Sequence, residues 1–114
     1  MSDPIVKWPF GDATVEVLAA TGVLAINIVN EMTIIDGAST IATGNRTINL
    51  TVSPNVGIGA MIVLKAKTTA VETMTFGTKM LGAVITGVAG KTKATTFIYD
   101  GTNFINAGTP IQLD

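Results

Sequence analysis

The residues able to do acid–base or metal chemistry are few and scattered. The chain has no His and no Cys, which excludes a thiolate zinc site, a Cys nucleophile and a Ser-His-Asp triad. Paired carboxylates could support glycoside hydrolysis or bind calcium, but no Asp-x-Asp cluster is present. The acidic residues are Asp3, Asp12, Glu16, Glu31, Asp36, Glu72, Asp100 and Asp114. We therefore expect a protein that is not an enzyme, with no catalytic or metal-binding residues and no cofactor.

Gly90-Lys91-Thr92 matches the end of a phosphate-binding P-loop. That motif needs a glycine at the position of Ile85, a strand before it and a helix after it. Lys91 instead begins a run with the alternation of a β-strand. The match fails on both spacing and context.

Four lysines form two i, i+2 pairs, Lys65 with Lys67 and Lys91 with Lys93. Each pair would lie on one face of a strand, and neighbouring strands would join them into a basic stripe. The stripe could meet a polyanion or an acidic subunit, or the lysines could simply solvate a sheet face. A net charge of −1 predicts no binding to nucleic acid or to an anionic membrane.

The chain is apolar for its size. Of its 114 residues 47% are hydrophobic and only 13% are charged, and the mean hydropathy is +0.52. A domain this small buries about two-thirds of its unfolded surface, so much apolar surface remains to be covered. This predicts a homo-oligomer. The alternative is a monomer whose exterior is covered by the 18 threonines.

The longest apolar stretch, residues 17–29, does not predict a membrane segment. It is interrupted by Thr21, Gly22 and Asn27, whereas a spanning helix needs about 20 apolar residues. Acidic residues precede it where a signal peptide would be basic. We expect neither a signal peptide nor a transmembrane segment.

Residues 1–13 differ from the rest of the chain. They contain two of the four prolines and the only Trp, and the prolines favour an extended backbone. We interpret them as an extended N-terminal arm that docks on a partner through Ile5, Trp8 and Phe10. The alternative is an arm that folds back over one end of its own domain.

Residues 14–114 read as one β domain. Short alternating runs rich in β-branched residues are separated by turn signals every 8–12 residues, and Arg46 to Val52 alternates most cleanly. Asp36-Gly37 and Asp100 to Asn103 each predict a hairpin. The pattern predicts an all-β fold: a single compact antiparallel sandwich or barrel, with a jelly-roll arrangement among the options.

The second predicted hairpin carries aromatic residues. Tyr99, Asn103 and Phe104 could form a ligand face for a glycan or a host receptor. The alternative is that these rings belong to the core of the hairpin. Aromatic residues, at 5%, are too sparse for a base-stacking platform.

The segment Thr95-Thr-Phe-Ile-Tyr-Asp-Gly-Thr-Asn-Phe-Ile105 resembles the strand–Asp-Gly-Thr-Asn–strand ending of many bacteriophage virion proteins. Those proteins include tail, tailspike, head-fibre and capsid-decoration components. The preceding run from Ile85 to Lys91 is similar to what leads into that ending, and together they cover the last quarter of the chain.

The resemblance implies a non-enzymatic structural module of the virion that forms homo-oligomers, often trimers, and contacts other virion proteins. Such a protein is made in the host cytoplasm and located in the particle. The absence of repeats favours a compact decoration or spike-base domain over a fibre shaft. The alternative is a carbohydrate- or receptor-binding β-sandwich.

Overall fold

The computed structural model describes residues 13–114, and all regular secondary structure in that range is β-strand. The all-β prediction is confirmed. The strands are β1 (Thr14–Val17), β2 (Gly22–Ile28), β3 (Met32–Ala42), β4 (Arg46–Val52), β5 (Met61–Thr68), β6 (Thr73–Phe76), β7 (Met80–Leu81), β8 (Ile85–Thr86), β9 (Thr92–Tyr99), β10 (Phe104–Asn106) and β11 (Ile111–Gln112).

The strands form two sheets, and from β1 to β8 the chain alternates between them. The large sheet has seven strands in the order β1-β3-β5-β9-β10-β7, with β11 paired to β9. The small sheet has four strands in the order β2-β4-β6-β8. We call β1 with β2 the first turn of the chain and β3 with β4 the second; each turn places one strand in each sheet.

The prediction that the sheets are antiparallel is wrong, because both are mixed. β1, β3 and β5 pair in parallel, and so do β2, β4 and β6. The physical reason is the alternation: from β1 to β6 the chain crosses to the other sheet after each strand and re-enters the first sheet in its original direction. Antiparallel pairing is confined to β9 with its neighbours β5, β10 and β11, and to β6 with β8.

The hairpin predicted at Asp36-Gly37 does not form, and β3 runs through it as one strand. Four residues of β3, 38–41, stand against the single residue Lys67 of β5, which makes a bulge. The Asp36 carboxylate accepts the backbone amides of Ala38 and Ser39 at 2.9 and 3.0 Å and so holds the turned backbone inside the strand. Asp36-Gly37 therefore lies at a bend within β3, and the strand does not end there.

The second predicted hairpin is confirmed. β9 and β10 pair antiparallel around Asp100 to Asn103. The Asp100 carboxylate accepts the amides of Thr102 and Asn103 at 2.8 and 2.7 Å, and Gly101 has the positive φ of 98° that the turn requires.

The core lies between the two sheets. Side chains from alternate positions of both sheets form one buried cluster, and the Phe76 and Phe97 rings meet edge to face across it at 4.9 Å. The buried members at its centre are Ile35, Ile62 and Leu64 from the large sheet and Ile28, Ile48 and Leu50 from the small sheet.

Two charged residues are buried among residues 13–114, Asp36 at the bulge of β3 and Arg46 of β4. Arg46, only 2% exposed, donates from Nη2 to Gly37 O at 3.1 Å and from Nη1 to Ala19 O and Thr40 O at 3.4 and 3.5 Å. Burial lowers the pKa of Arg46, and the charge of Glu72 opposes that shift. The guanidinium joins the β1–β2 connection to the bulge of β3.

Residues 13–114 include no helix with the length and apolarity needed to cross a lipid bilayer.

A buried hydroxyl gives the first test of this packing. Thr33 Oγ1 is buried on the core side of β3 and has no hydrogen-bond partner. Because an unsatisfied buried hydroxyl costs free energy, Thr33→Val should raise the free energy of unfolding by about 1 kcal/mol. Urea denaturation would measure the change, with Thr75→Val, on the exposed side of the small sheet, as the control. A lower stability for Thr33→Val would show that the hydroxyl has a partner in solution.

Candidate assembly surface

An unbroken row of apolar side chains crosses the outer face of the large sheet. The strand registers place side by side Met32, Met61, Ile98, Ile105 and Leu81, which come from five adjacent strands. With strands about 4.8 Å apart, the row is roughly 19 Å long. Ile98, Ile105 and Leu81 are 42%, 40% and 52% exposed.

A second row runs beside the first. Val15, Ile34 and Val63 are register partners on β1, β3 and β5, and Thr96 of β9 continues the line. Val15 is 57% exposed. We call the two rows together the apolar face. They are the positions that point away from the core, since Ile35 and Ile62, which alternate with them, are fully buried.

The opposite surface of the molecule shows what a solvated face of this fold looks like. The outward positions of the small sheet are mostly Thr and Asn: Asn27, Thr47, Asn49, Thr51, Thr75 and Thr86. Both sheets therefore have buried inner faces, but only the large sheet also has an apolar outer face. A strand that is apolar on both faces is typical of a sheet covered on both sides.

The apolar face is continuous: eight of its nine positions carry Met, Val, Ile or Leu side chains. Contiguous apolar patches on a protein surface are often functional. Its border is charged. Asp36, which is only 7% exposed, and Lys65 are register partners in the next row of the same outer face, and Lys67 lies farther along β5. An apolar centre with a polar rim is the usual anatomy of a protein–protein interface.

The border carboxylate is held in its charged form. The Ser39 hydroxyl donates to Asp36 Oδ2 at 2.5 Å, in addition to the two amides at Oδ1. These hydrogen bonds, with a smaller contribution from Lys65, lower the pKa of Asp36 from 3.8 to about 2. The rim thus keeps its negative charge at any pH above that value.

The structure does not bring the four lysines into one stripe. Lys65 and Lys67 lie on the outer face of the large sheet, but Lys93 is the register partner of Ala66, which faces inward. The Lys93 ammonium instead donates to Thr86 O of the small sheet at 2.8 Å. The Lys91 backbone carbonyl accepts the Thr68 amide where the two strands end.

The structure places the three residues of the predicted ligand face in different environments, one in the core and the others at or beside the hairpin turn. The Phe104 ring is fully buried and stacks on Tyr99, with ring centroids 4.8 Å apart. Asn103 closes the hairpin, its amide donating to Asp100. Phe104 is therefore a core residue, as the alternative interpretation had it, and a ligand could reach only Tyr99 and Asn103.

The remaining predicted site residues, Ile5, Trp8 and Phe10 of the arm, lie outside the described residues.

Within residues 13–114, no group of three or more acidic side chains is close enough to hold a metal ion. Glu72 is engaged locally: it accepts the Thr69 hydroxyl at 2.6 Å and the Ala70 amide at 2.8 Å, and these bonds lower its pKa.

Comparison of the chain with protein-family models, curated proteins and solved structures finds no match.

The Asp36 hydrogen bonds predict an acid-sensitive stability. The pKa of Asp36 is lower in the folded chain than the ordinary 3.8, so its contribution is complete above about pH 4 and is lost as the pH falls towards 2. Urea midpoints across that range should fall more steeply for the natural protein than for Asp36→Asn. Ser39→Ala, which removes the hydroxyl bond alone, should raise the pKa of Asp36 part of the way to 3.8, as followed by NMR titration. An unchanged titration in Ser39→Ala would contradict this assignment.

Proposed function

We propose that this protein is a non-enzymatic structural component of a bacteriophage particle, a capsid-decoration, head-fibre or tail-associated protein that assembles as a homo-oligomer. A trimer is the favoured state. Copies associate by burying the apolar face of the large sheet, and other virion proteins are the expected neighbours.

The observation that carries the proposal is the difference between the two outer faces. Thr and Asn occupy most outward positions of the small sheet, with Val23 at its edge exposed as an exception. Met, Val, Ile and Leu instead fill eight of the nine positions in two neighbouring outward rows of the large sheet. The outer face of the small sheet is therefore mostly polar, whereas that of the large sheet contains a continuous apolar area. Burial of apolar surface contributes about 25 cal/mol per Å², so covering this face supplies the main driving force for association.

The segment that resembles virion proteins contributes directly to this face. Ile98 and Ile105 belong to the two strands of the Asp-Gly-Thr-Asn hairpin and stand next to each other in the first apolar row. Their partners Phe97 and Phe104, on the other side of the same strands, are buried in the core. The hairpin therefore presents one apolar side to its own domain and the other to a neighbouring copy.

A lysine substitution in the centre of the apolar face tests the assembly. Val63→Lys puts a charge in the middle of the buried surface and should raise the dissociation constant of the oligomer at least 100-fold. Analytical ultracentrifugation over a dilution series measures it. Thr51→Lys, an exposed outward position on the small sheet, is the matched control and should leave the mass unchanged.

The far-ultraviolet circular dichroism of both variants must match that of the natural protein, so that loss of mass reports association and not unfolding. If Val63→Lys has the same mass as the natural protein at every dilution, the apolar face is not the assembly surface.

The structural role in a particle has its own test. Particles purified from lysates of the source organism by density gradient should contain the protein at a fixed ratio to the main capsid protein, measured by quantitative mass spectrometry. Recovery only in the fractions free of particles would contradict the virion proposal and would leave the assembly result untouched.

A further inference from the structure

One row of outward side chains runs across the large sheet from β1 to β11. The strand registers align in this row Val17, Asp36, Lys65, Ala94 and Ile111. With strands about 4.8 Å apart, Val17 and Ile111 lie roughly 19 Å from each other. The two ends of the row differ in shape and in charge.

A groove lies at the β11 end. Residues 107–110, between β10 and β11, stand against only Thr95 and Thr96 of β9, so the C-terminal segment bulges away from the sheet. The Thr95 hydroxyl holds the bulge by donating to Gly108 O at 3.0 Å. The groove beside it has a volume of about 260 Å³. Its lining includes Val63, Ala94, Thr96, Thr109, Ile111 and Leu113.

The β1 end carries two exposed aliphatic side chains instead. Val15 and Val17 are each 57% exposed. Val15 lies in the same row as Val63 and Thr96, which line the groove, and Val17 lies in the row of Ala94 and Ile111. The two valines are therefore level with the groove, at the opposite side of the same face.

We propose that Val15 and Val17 of one copy dock in the groove of the next copy, in a closed ring of three. The contact is heterologous, because it joins two different surfaces of the chain. This inference rests on the proposed homo-oligomer and adds to it which side of the apolar face meets which.

The alignment of the rows suits such a ring. A closed ring has no translation along its symmetry axis, so residues that touch across its interfaces lie at similar heights along that axis. With the axis parallel to the strands, each row of one copy meets the same row of its neighbour. Val15 and Val17 then reach the groove at their own level, and Val63 and Thr96 connect the groove to the rest of the apolar face.

The charges of the two sides are complementary. Glu16 and Asp36, on β1 and β3, lie near Val17, whereas Lys65 and Lys67 lie on the outward side of β5 next to the groove. A contact between unlike sides brings the acidic strands of one copy towards the basic strand of the next. A contact between two like sides would instead oppose like charges.

Introduced cysteines test the contact, because the natural chain has none. The two positions of the Val17→Cys/Ile111→Cys variant are roughly 19 Å apart within one molecule, and a disulfide needs Cα atoms within about 7 Å. Any disulfide between them therefore joins two copies. Mild oxidation should convert this variant into a covalent trimer on a non-reducing gel.

Three variants serve as controls and should remain single chains on the same gel. Two are the single variants Val17→Cys and Ile111→Cys. The third is Val17→Cys/Thr75→Cys, whose second cysteine lies at an exposed outward position of the small sheet.

Sedimentation of the natural protein distinguishes failure of the inference from failure of the proposed assembly. Suppose that the natural protein is an oligomer, but the double variant remains a single chain, stops at a covalent dimer, or is matched by a single variant. The heterologous ring is then wrong, although the homo-oligomer stands. A natural protein that sediments as an 11.7 kDa monomer overturns both.

Discussion

The alternation of the chain between two sheets is the constraint on which the rest of this structure depends. From β1 to β6 each strand is followed by one in the opposite sheet, so β1, β3 and β5, and likewise β2, β4 and β6, lie side by side and run parallel. A stack built in this way buries one face of every strand between the sheets and leaves two outer faces and two ends. The side chains at those outer faces and ends determine which surfaces can bind another molecule.

The two buried charged side chains, Asp36 and Arg46, both lie at the bulge of β3. Arg46 donates to carbonyls of the β1–β2 connection and of the β3 bulge, and Asp36 accepts amides and a hydroxyl within that bulge. The close approach of the guanidinium also explains Gly37, where a Cβ atom would lie 3.1 Å from Arg46 Nη1. The bulge thus satisfies its backbone groups with two buried charged side chains, and the strand continues beyond it.

Several elements could be predicted from the sequence because their signals are local. The period-2 alternation of Arg46–Val52 gives β4, and Asp100 to Asn103 gives the β9–β10 hairpin. The parallel pairing could not be predicted in this way, since it depends on which strand lies beside which over 19 to 29 residues, as Thr14 beside Thr33 and Met32 beside Met61 show. Asp36-Gly37 misleads for a related reason: the same dipeptide that ends a strand can bend one when side chains such as Arg46 support the bend.

The apolar face can be predicted only in part from the sequence. The runs Met32–Ile35 and Met61–Leu64 are apolar at nearly every position, which signals strands covered on both faces. What the sequence does not contain is the register that aligns Met61 with Ile98 and Ile105 into one row. The low charge and high hydropathy predict that some apolar surface is covered by other molecules, and the strand registers show where the apolar outer surface lies.

In the proposed assembly, further copies of the chain cover this surface. The most direct measurement is the mass of the natural protein in solution, by light scattering behind a sizing column at several dilutions. We expect a stable multiple of 11.7 kDa, with three copies favoured, that persists on dilution. A single 11.7 kDa species at every concentration would contradict it.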